Sequence, residues 1–321
     1  MSSTLYKKTE EHLRKQVRLP VLKEKLFYPT EASVMLPEIH PGEKNVIGTC
    51  MRQAYYRFNG EPQADFSEYT QWIFFSGKSL EQGLVDNWKE MGILLANNIK
   101  FYSSEWMVSG EFDAVVKHPD KPNEKLLVEI KTYYGYEATK LICGNPKKGI
   151  SGEPKDAHLL QVLIYMYLHQ HIFSESRLVY LDRTCKDNAE FKIELHKEGD
   201  KTYPVINGVV KRRFYVEQIF ERFKILKDYI EKKTLPPREF EKEYSVQRVE
   251  REFAAKNISP TKYKKWTDKK EIIGDWNCRY CNYSDKCWSN NPDVEEKKEV
   301  TSDKKSDITI SPTMIQTFIV D

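Results

Sequence analysis

Apolar and polar residues alternate along two neighbouring segments, 111–117 and 125–131, with the two-residue period that is typical of β-strands. The residues between them, 118–124, contain two prolines, an Asn and an Asp, all of which favour turns. The pattern therefore predicts a β-hairpin.

Alternation also assigns each side chain of this hairpin to one of two faces. Asp113 in the first strand, and Glu129 and Lys131 in the second, lie opposite the apolar residues. If the loop closes symmetrically, Asp113 faces Glu129 with Cβ atoms about 5 Å apart. The apolar faces then comprise Phe112, Ala114 and Val116 in the first strand and Leu126, Val128 and Ile130 in the second.

Apolar residues recur at helical spacing in two longer segments, 67–92 and 155–171. The stripe of the first helix comprises Trp72, Phe75, Leu80, Leu84 and Trp88. Further helices are predicted at residues 1–25, 48–60, 212–233 and within 238–275, and strands at about 98–102, 105–109, 175–183 and 189–197. Strands interspersed with helices predict an α/β fold, with a mixed central sheet flanked by helices.

Two segments are predicted to be loops. Residues 26–45 contain three prolines and a glycine. Residues 132–156 are rich in Gly, Lys and aromatic residues. This composition suits either an active-site loop that follows a nucleic-acid backbone and stacks on bases, or a plain mobile loop.

Composition narrows the class of protein. The chain has 321 residues, of which 40% are hydrophobic and 31% charged, as in globular proteins. The net charge is only +3, so binding to nucleic acid would need a local basic patch. No apolar run approaches the roughly 18–20 residues of a membrane span, and the N-terminus lacks the apolar core of a secretory signal. We therefore expect a cytoplasmic protein that does not act on membranes.

The polar face of the hairpin suits metal-assisted hydrolysis. Two carboxylates as close as Asp113 and Glu129 repel each other unless a cation lies between them, and Mg²⁺ is commonly held by one or two carboxylates and phosphate oxygens. Such a metal can activate water and neutralise charge on a phosphodiester. Lys131 would add a positive charge beside the water and the phosphate. The alternative is a surface hairpin with an ordinary Glu–Lys decoration.

Two helical motifs accompany the hairpin. Gln161 and Tyr165 are four residues apart and share a helix face, and a Gln within an apolar run needs a polar partner if it is buried. Gly77 and Glu81 have the same spacing in the helix at 67–92. The alternatives are a Gln and a Tyr that face solvent, and a solvated helix glutamate.

The six cysteines indicate metal or redox chemistry rather than disulfides in such a protein. Four-thiolate sites suit either an iron–sulfur cluster or a structural Zn²⁺. Three cysteines lie within ten residues near the C-terminus, and one lies far upstream, where it could also be a small apolar residue of a helix. This set comprises Cys50, Cys278, Cys281 and Cys287. Cys143 and Cys185 fit neither pattern and are interpreted as free thiols.

Together these motifs resemble the RecB-like branch of the PD-(D/E)xK nucleases, which includes the CRISPR-associated iron–sulfur exonucleases and the AddB nuclease domain. The Gly-x-x-x-Glu motif departs from the usual version of that family, which has His in place of Glu81. The resemblance implies a restriction-endonuclease-like core at residues 46–237 and an Fe–S subdomain formed by Cys50 and residues 238–290. Residues 1–45 would precede this core as a helix and a loop.

The resemblance also implies the function of a metal-dependent DNA exonuclease that acts on single strands or duplex ends, in recombination, repair or replication. The four cysteines would hold a 4Fe–4S cluster, with Zn²⁺ as the alternative. The catalytic residues would be Asp113, Glu129, Lys131, Gln161 and Tyr165. The ligands of Mg²⁺ or Mn²⁺ would be Asp113, Glu129, Glu81 and the carbonyl of Ile130.

Two other functions are considered. The first is a non-catalytic DNA-binding or scaffolding protein with a structural metal cluster, although decayed nuclease sites usually lose a carboxylate or the lysine. The second is an endonuclease or nickase, although such enzymes seldom need a cysteine clasp.

The C-terminal tail, residues 291–321, has two parts. Residues 292–307 are strongly charged with few apolar side chains, and such a composition predicts a flexible linker. Residues 308–321 are apolar, as in a docking peptide that binds a partner protein. The alternative is an edge strand that packs on its own domain.

Overall fold

A computed structural model describes residues 25–41 and 43–289 of the chain. Apart from Lys25, the predicted helix at residues 1–25 lies outside the described residues, and so does the predicted docking tail. No helix in the described ranges is long and apolar enough to cross a membrane.

The first described elements form a small antiparallel sheet of two strands, β1 (Ser33–Leu36) and β2 (Asn45–Gly48). The prediction of a loop here is wrong, because the flanking prolines bound β1 without interrupting it. Helix α1 (Met51–Phe58) follows, and its N-cap is Cys50. Helix α2 (Glu68–Glu90) begins after Ser67, whose hydroxyl accepts a hydrogen bond from the amide of Thr70 at 3.2 Å. The helix predicted at residues 67–92 is therefore confirmed.

In the described chain, a mixed sheet of seven strands follows, and its spatial order is the order along the sequence. Neighbouring strands are antiparallel, except that β5 and β6 are parallel. A parallel pair needs a crossover connection, and this one contains helices α3 (Tyr136–Cys143) and α4 (Asp156–Leu168). The strands are β3 (Leu94–Ser103), β4 (Val108–Lys117), β5 (Lys125–Tyr133), β6 (Glu175–Asp182), β7 (Ala189–Glu198), β8 (Lys201–Ile206) and β9 (Val209–Val210).

The remaining elements are helical. They are α5 (Val216–Glu231), α6 (Val246–Ala254), α7 (Pro260–Thr267), α8 (Trp276–Arg279) and α9 (Ser284–Trp288). Val249, Ile258 and Ile273 form a small core of their own around α6 and α7. The described residues up to Cys287 belong to one compact unit. The predicted α/β fold with a mixed sheet flanked by helices is confirmed.

Helices cover both faces of the sheet. On one face, Val85 of α2 is buried against β4 and β5, and Leu84 and Trp88 pack beside it. Phe75, which the sequence placed on the same stripe, is 48% exposed. On the other face lies α4, in which every residue from Leu159 to Met166 is buried. A helix that is apolar around its whole circumference is stable only inside a core. The polar side chains of Gln161 and Tyr165, which lie within this stretch, are therefore in the protein interior.

Candidate functional site

The candidate site lies where β4 separates from β5. The pairing of the two strands runs from Lys117 opposite Lys125 to Ala114 opposite Val128, so its next step would place Asp113 opposite Glu129, as the hairpin predicted. The regular ladder ends at this step. The amide of Ile130 donates instead to Oδ2 of Asp113, at 2.7 Å. The carboxylate thus occupies the place of a backbone carbonyl in a continuing ladder.

The alternation of side chains also breaks at this point. Phe112 packs with Val115, Leu127 and Tyr165, on the face that α4 covers. The prediction that Phe112 shares a face with Ala114 is therefore wrong. Two residues three apart in a regular strand point to opposite faces, so the strand must be irregular between Phe112 and Val115. Asp113 lies within this irregular stretch.

Glu129 is the most buried acidic residue of the site, with 1% of its surface exposed. Its Oε1 accepts hydrogen bonds from Nζ of Lys131 at 2.6 Å and from Nε2 of Gln161 at 2.8 Å. Its Oε2 is buried and has no hydrogen-bond partner among the described residues. An unpartnered buried carboxylate oxygen is costly, so this atom is suited to a further ligand.

Gln161 and Tyr165 meet on the face of α4 that covers Glu129. Nε2 of Gln161 lies 2.6 Å from the hydroxyl of Tyr165, which in turn donates to the carbonyl of Glu111 at 3.2 Å. Both side chains are buried. The alternative in which they face solvent is therefore wrong. The polar partner that a buried Gln requires is Glu129.

Burial changes the protonation of the acidic pair. It raises the pKa of Asp113 to about 8, with a further contribution from the charge of Glu129. Burial also raises the pKa of Glu129, against the opposing effect of Lys131. For Lys131, burial alone would lower the pKa, but Glu129 and Asp113 more than offset it, so the pKa is raised. The site therefore holds a permanent ammonium group and two carboxyls that ionise together only with difficulty.

Glu81 approaches this pair from α2. A Cβ atom on Gly77 would lie 3.0 Å from Oγ1 of Thr132, so α2 passes close to β5 just beyond Lys131. One turn later, Glu81 forms an ion pair of 2.5 Å with Lys78. Its charge still contributes to the raised pKa values of Asp113 and Glu129. Its predicted role as a metal ligand, and that of the Ile130 carbonyl, stay predictions.

The N-cap residue Cys50 lies in the same region as the C-terminal cysteines. Burial raises the pKa of Cys50 to about 11, and Glu239 and Cys287 contribute to the increase. Burial also raises the pKa of Cys281, again with a contribution from Cys287. Cys278 lies one turn before Cys281, whose amide donates to its carbonyl at 3.4 Å. The four predicted thiols thus lie in two chain segments that meet.

Polar contacts fasten these two segments together. Nδ2 of Asn277 donates to the carbonyl of Gly48 at 3.2 Å, and Lys286 forms an ion pair of 2.6 Å with Glu61. In the described ranges, however, no three His, Cys, Asp or Glu side chains form a group that could hold a metal ion. This finding applies to the cysteines and to the acidic residues alike.

Sequence reasoning missed two residues beside Cys50. Arg52 is buried, and its Nη1 donates to Sγ of Cys287 at 3.8 Å while its Nε donates to the carbonyl of Pro236 at 2.7 Å. Glu239 accepts the amide of Met51 at the start of α1 and a hydrogen bond from the buried Arg222. The signal in the sequence was weak, because an Arg in a short helix is ordinarily a surface residue.

Comparison with known proteins gives little further information. No protein-family model matches the chain, and no curated protein matches it. A similar solved structure is described as the crystal structure of SSO0001. The match covers 88% of this chain and 95% of the chain in that structure, with a TM-score of 0.42 and 14% sequence identity. Similarity at this level does not distinguish between functions.

Proposed function

We propose that the protein is a divalent-metal-dependent DNase of the RecB-like PD-(D/E)xK type. The observation that carries this proposal is the network around Glu129, in which one carboxylate oxygen is fixed by Lys131 and Gln161 and the other is buried without a partner. A surface hairpin with a decorative Glu–Lys pair would not bury Glu129 or supply it with a glutamine from another element.

The donor atoms of these residues are of the type that a hard divalent cation prefers. Oxygen ligands are what Mg²⁺ and Mn²⁺ prefer, and a cation beside Asp113 and the free Oε2 of Glu129 would remove the cost of ionising both groups. Glu81 and the carbonyl of Ile130 are the further candidate ligands. When bound, the metal would supply Lewis-acid stabilisation of charge on the phosphodiester.

The chain's own groups account for the remaining steps. In hydrolysis, the oxygen of water forms a bond to phosphorus while the bond to the leaving ester oxygen breaks, and negative charge is spread over the phosphoryl oxygens. Lys131, held at 2.6 Å by Glu129, supplies a fixed positive charge to orient the water and stabilise that charge. Gln161 and Tyr165 hold Glu129 in place, so that no reorganisation is needed during the reaction.

The second part of the proposal is a 4Fe–4S cluster held by Cys50, Cys278, Cys281 and Cys287. It is supported by the proximity of Cys287 to both Cys50 and Cys281, and by the buried guanidinium of Arg52 beside the Cys287 sulfur. A four-thiolate site carries net negative charge, which a buried arginine would offset. Zn²⁺ at the same thiols is the alternative, and it leaves the nuclease proposal intact.

The decisive experiment is a digestion of end-labelled linear and closed circular single-stranded DNA, with Mg²⁺, with Mn²⁺ and with EDTA. We expect metal-dependent cleavage of the linear strand, with products that shorten progressively from an end. Glu129→Ala should abolish it, whereas the control Glu221→Ala, at an exposed position of α5, should not. Cleavage of the circle would instead identify an endonuclease. Cleavage that survives both EDTA and Glu129→Ala would refute the proposal.

A further inference from the structure

The carboxyl ends of the parallel strands β5 and β6 lie side by side next to the candidate site. Tyr133 pairs with Asp182 at the ends of the two strands, and the amide of Arg183 donates to the carbonyl of Tyr133 at 2.9 Å. Tyr134 and Arg183 therefore follow directly after the carboxyl ends of these two neighbouring strands. In open α/β sheets, ligands bind outside the carboxyl ends of the parallel strands.

Two cations lie near this end of the two strands. Lys155 is the N-cap of α4, and burial together with the charge of Arg183 lowers its pKa. Among the described residues, the charged group that shifts the pKa of Lys155 is thus another cation and not a carboxylate. Nε of Arg183 is buried and has no hydrogen-bond partner in the described chain. Its guanidinium lies over the ring of Tyr134, 5.4 Å from the centroid, which restricts its orientation.

A short connection joins this pair of cations to Lys131. Tyr180 of β6 is the register partner of Lys131 and is completely buried. Its hydroxyl accepts the amide of Lys155 at 3.0 Å and lies 2.9 Å from Nδ1 of His158. The backbone of Lys155 is therefore held at a fixed place relative to the strand that contains the lysine of the candidate site.

We propose that Lys155 and Arg183 bind one phosphate group of the substrate strand, adjacent to the phosphodiester that is cleaved. Two neighbouring cations without a carboxylate repel each other, and an anion between them removes that cost. Phosphate suits the pair because a guanidinium binds two of its oxygens in a fork while an ammonium supplies a point charge. This inference rests on the proposed nuclease function, and it extends the site to a second phosphate.

The test measures binding of a fluorescent single-stranded oligonucleotide in EDTA, by anisotropy, so that cleavage does not interfere. Lys155→Gln and Arg183→Gln should each weaken binding at least 5-fold. The fold-loss of affinity in the double variant should be smaller than the product of the two single fold-losses, because both side chains contact one phosphate. The double variant should also lower the salt dependence by roughly 0.7 in the log–log slope. The control is Lys201→Gln. Lys201 lies in β8, with its ammonium over the ring of Tyr215, and this variant should bind the oligonucleotide like the wild type.

The source of the phosphate is resolved with modified oligonucleotides. One series carries a neutral methylphosphonate at a single position, and a second carries a 5′-phosphate, a 3′-phosphate or neither. If methylphosphonate weakens binding at one internal position only, and has no such effect on the double variant, the bound group is a backbone phosphate. If a 5′- or 3′-phosphate strengthens binding, and does so only when both cations are present, the bound group is the phosphate of a strand end. Either result supports the proposal, provided that circular dichroism shows the variants to be folded.

The outcomes separate this inference from the nuclease proposal. Wild-type protein that binds through Lys155 and Arg183 but never cleaves with metal would refute the nuclease function and leave the phosphate site standing. Metal-dependent cleavage with unchanged binding in the double variant would refute the phosphate site alone. Wild-type protein that binds no oligonucleotide would overturn the phosphate site as well.

Discussion

At the scale of single residues, the candidate site depends on the balance between Glu129 and Lys131. Glu129 is almost completely buried, and the ammonium 2.6 Å away is its nearest opposite charge. A buried ion pair contributes little net stability, but removing one partner leaves an uncompensated charge that costs about 3–5 kcal/mol. The pair is therefore better explained by function than by stability.

We expect Lys131→Met to destabilise the metal-free protein more strongly at pH 9 than at pH 5. Without the lysine, Glu129 becomes harder to ionise, and a carboxyl whose folded-state pKa is raised loses stability as the pH rises. Adding Glu129→Gln removes the charge and should restore most of the loss. Urea unfolding of both variants at the two pH values measures the effect. Equal destabilisation at both pH values would contradict this explanation.

Asp113 predicts a pH dependence of its own. Its pKa is about 8 in the folded protein and near 3.8 in the unfolded chain, so between these values the folded state holds an extra proton. In EDTA, its contribution to the free energy of unfolding is therefore largest near pH 4 and falls by up to about 1.4 kcal/mol per pH unit as the pH rises towards 8. Comparison with Asp113→Asn, whose stability should depend less on pH, isolates this term. Parallel pH profiles for the two proteins would exclude it.

Arg52 predicts a measurable effect on the thiol site. Its guanidinium donates to Sγ of Cys287, and loss of that hydrogen bond and charge should weaken retention of iron or zinc. We expect Arg52→Met to release the metal to a chelator at least 5-fold faster than the wild type. Arg238→Met is the matched control, since this exposed arginine donates to the backbone carbonyl of Cys287. Similar release from the two variants would show that Arg52 is structural.

At the scale of elements, two glycines of the same helix differ in their surroundings. Gly77 of α2 would place a Cβ 3.0 Å from Thr132, whereas a Cβ on Gly83 would meet nothing within 4 Å. Gly77 therefore allows the close approach of α2 to β5. Gly83 has no such role in the described chain.

Alanine at these positions should have different effects. Gly83→Ala should stabilise the protein by about 1 kcal/mol, because alanine favours helix. Gly77→Ala gains the same propensity but must displace Thr132, so it should stabilise less or not at all. The double variant Gly77→Ala/Thr132→Ala should recover part of the difference. The melting temperatures of the three variants measure these effects. An equal gain of stability from Gly77→Ala and Gly83→Ala would contradict the close approach of α2 to β5.

The sequence predicts elements well where periodicity is strong. The hairpin, α2, α4, β6 and β7 follow from it, and so does the shared face of Gln161 and Tyr165. The regular pairing of β4 with β5 ends one step before Asp113 and Glu129. Where composition masks periodicity, the sequence misleads. Strand β8 contains Pro204, which argues against a strand and is tolerated next to the two-residue strand β9. Helix α3 lies in a segment whose glycines and lysines suggested a loop.

Some features could not be predicted because they depend on contacts between distant residues. The burial of Arg52 follows from Pro236 and Cys287, which lie far along the chain. The position of Lys155 near β6 follows from the hydrogen bond between its amide and the hydroxyl of Tyr180. The break in alternation at Phe112 follows from its packing against Tyr165 on α4. Local pattern contains none of these contacts.

At the scale of the whole molecule, the two cysteine segments connect the beginning and the end of the described fold. We expect purified protein to be brown, with the broad visible absorbance of thiolate-bound iron. Cys50→Ser or Cys278→Ser should lose the colour and lower the melting temperature together, because metal binding at such sites also contributes folding energy. Cys185→Ser is the control, at an exposed thiol. Stoichiometric zinc and no iron, in protein prepared without air, would show that the thiols bind zinc and not a cluster. The absence of both metals would refute the thiol site.

The distance along the chain between Cys50 and Cys287 has a consequence for biosynthesis. Asp113, Glu129, Lys131, Gln161 and Tyr165 have all been synthesised before β6 (Glu175–Asp182) begins. Cys287 emerges only after the whole sheet and α5 to α8 have been synthesised. A chain that ends after α4 but before residue 278 therefore contains the complete acidic network but only one of the four thiols. The contact between Cys50 and Cys287 thus forms only in a chain that has been synthesised past α9 (Ser284–Trp288).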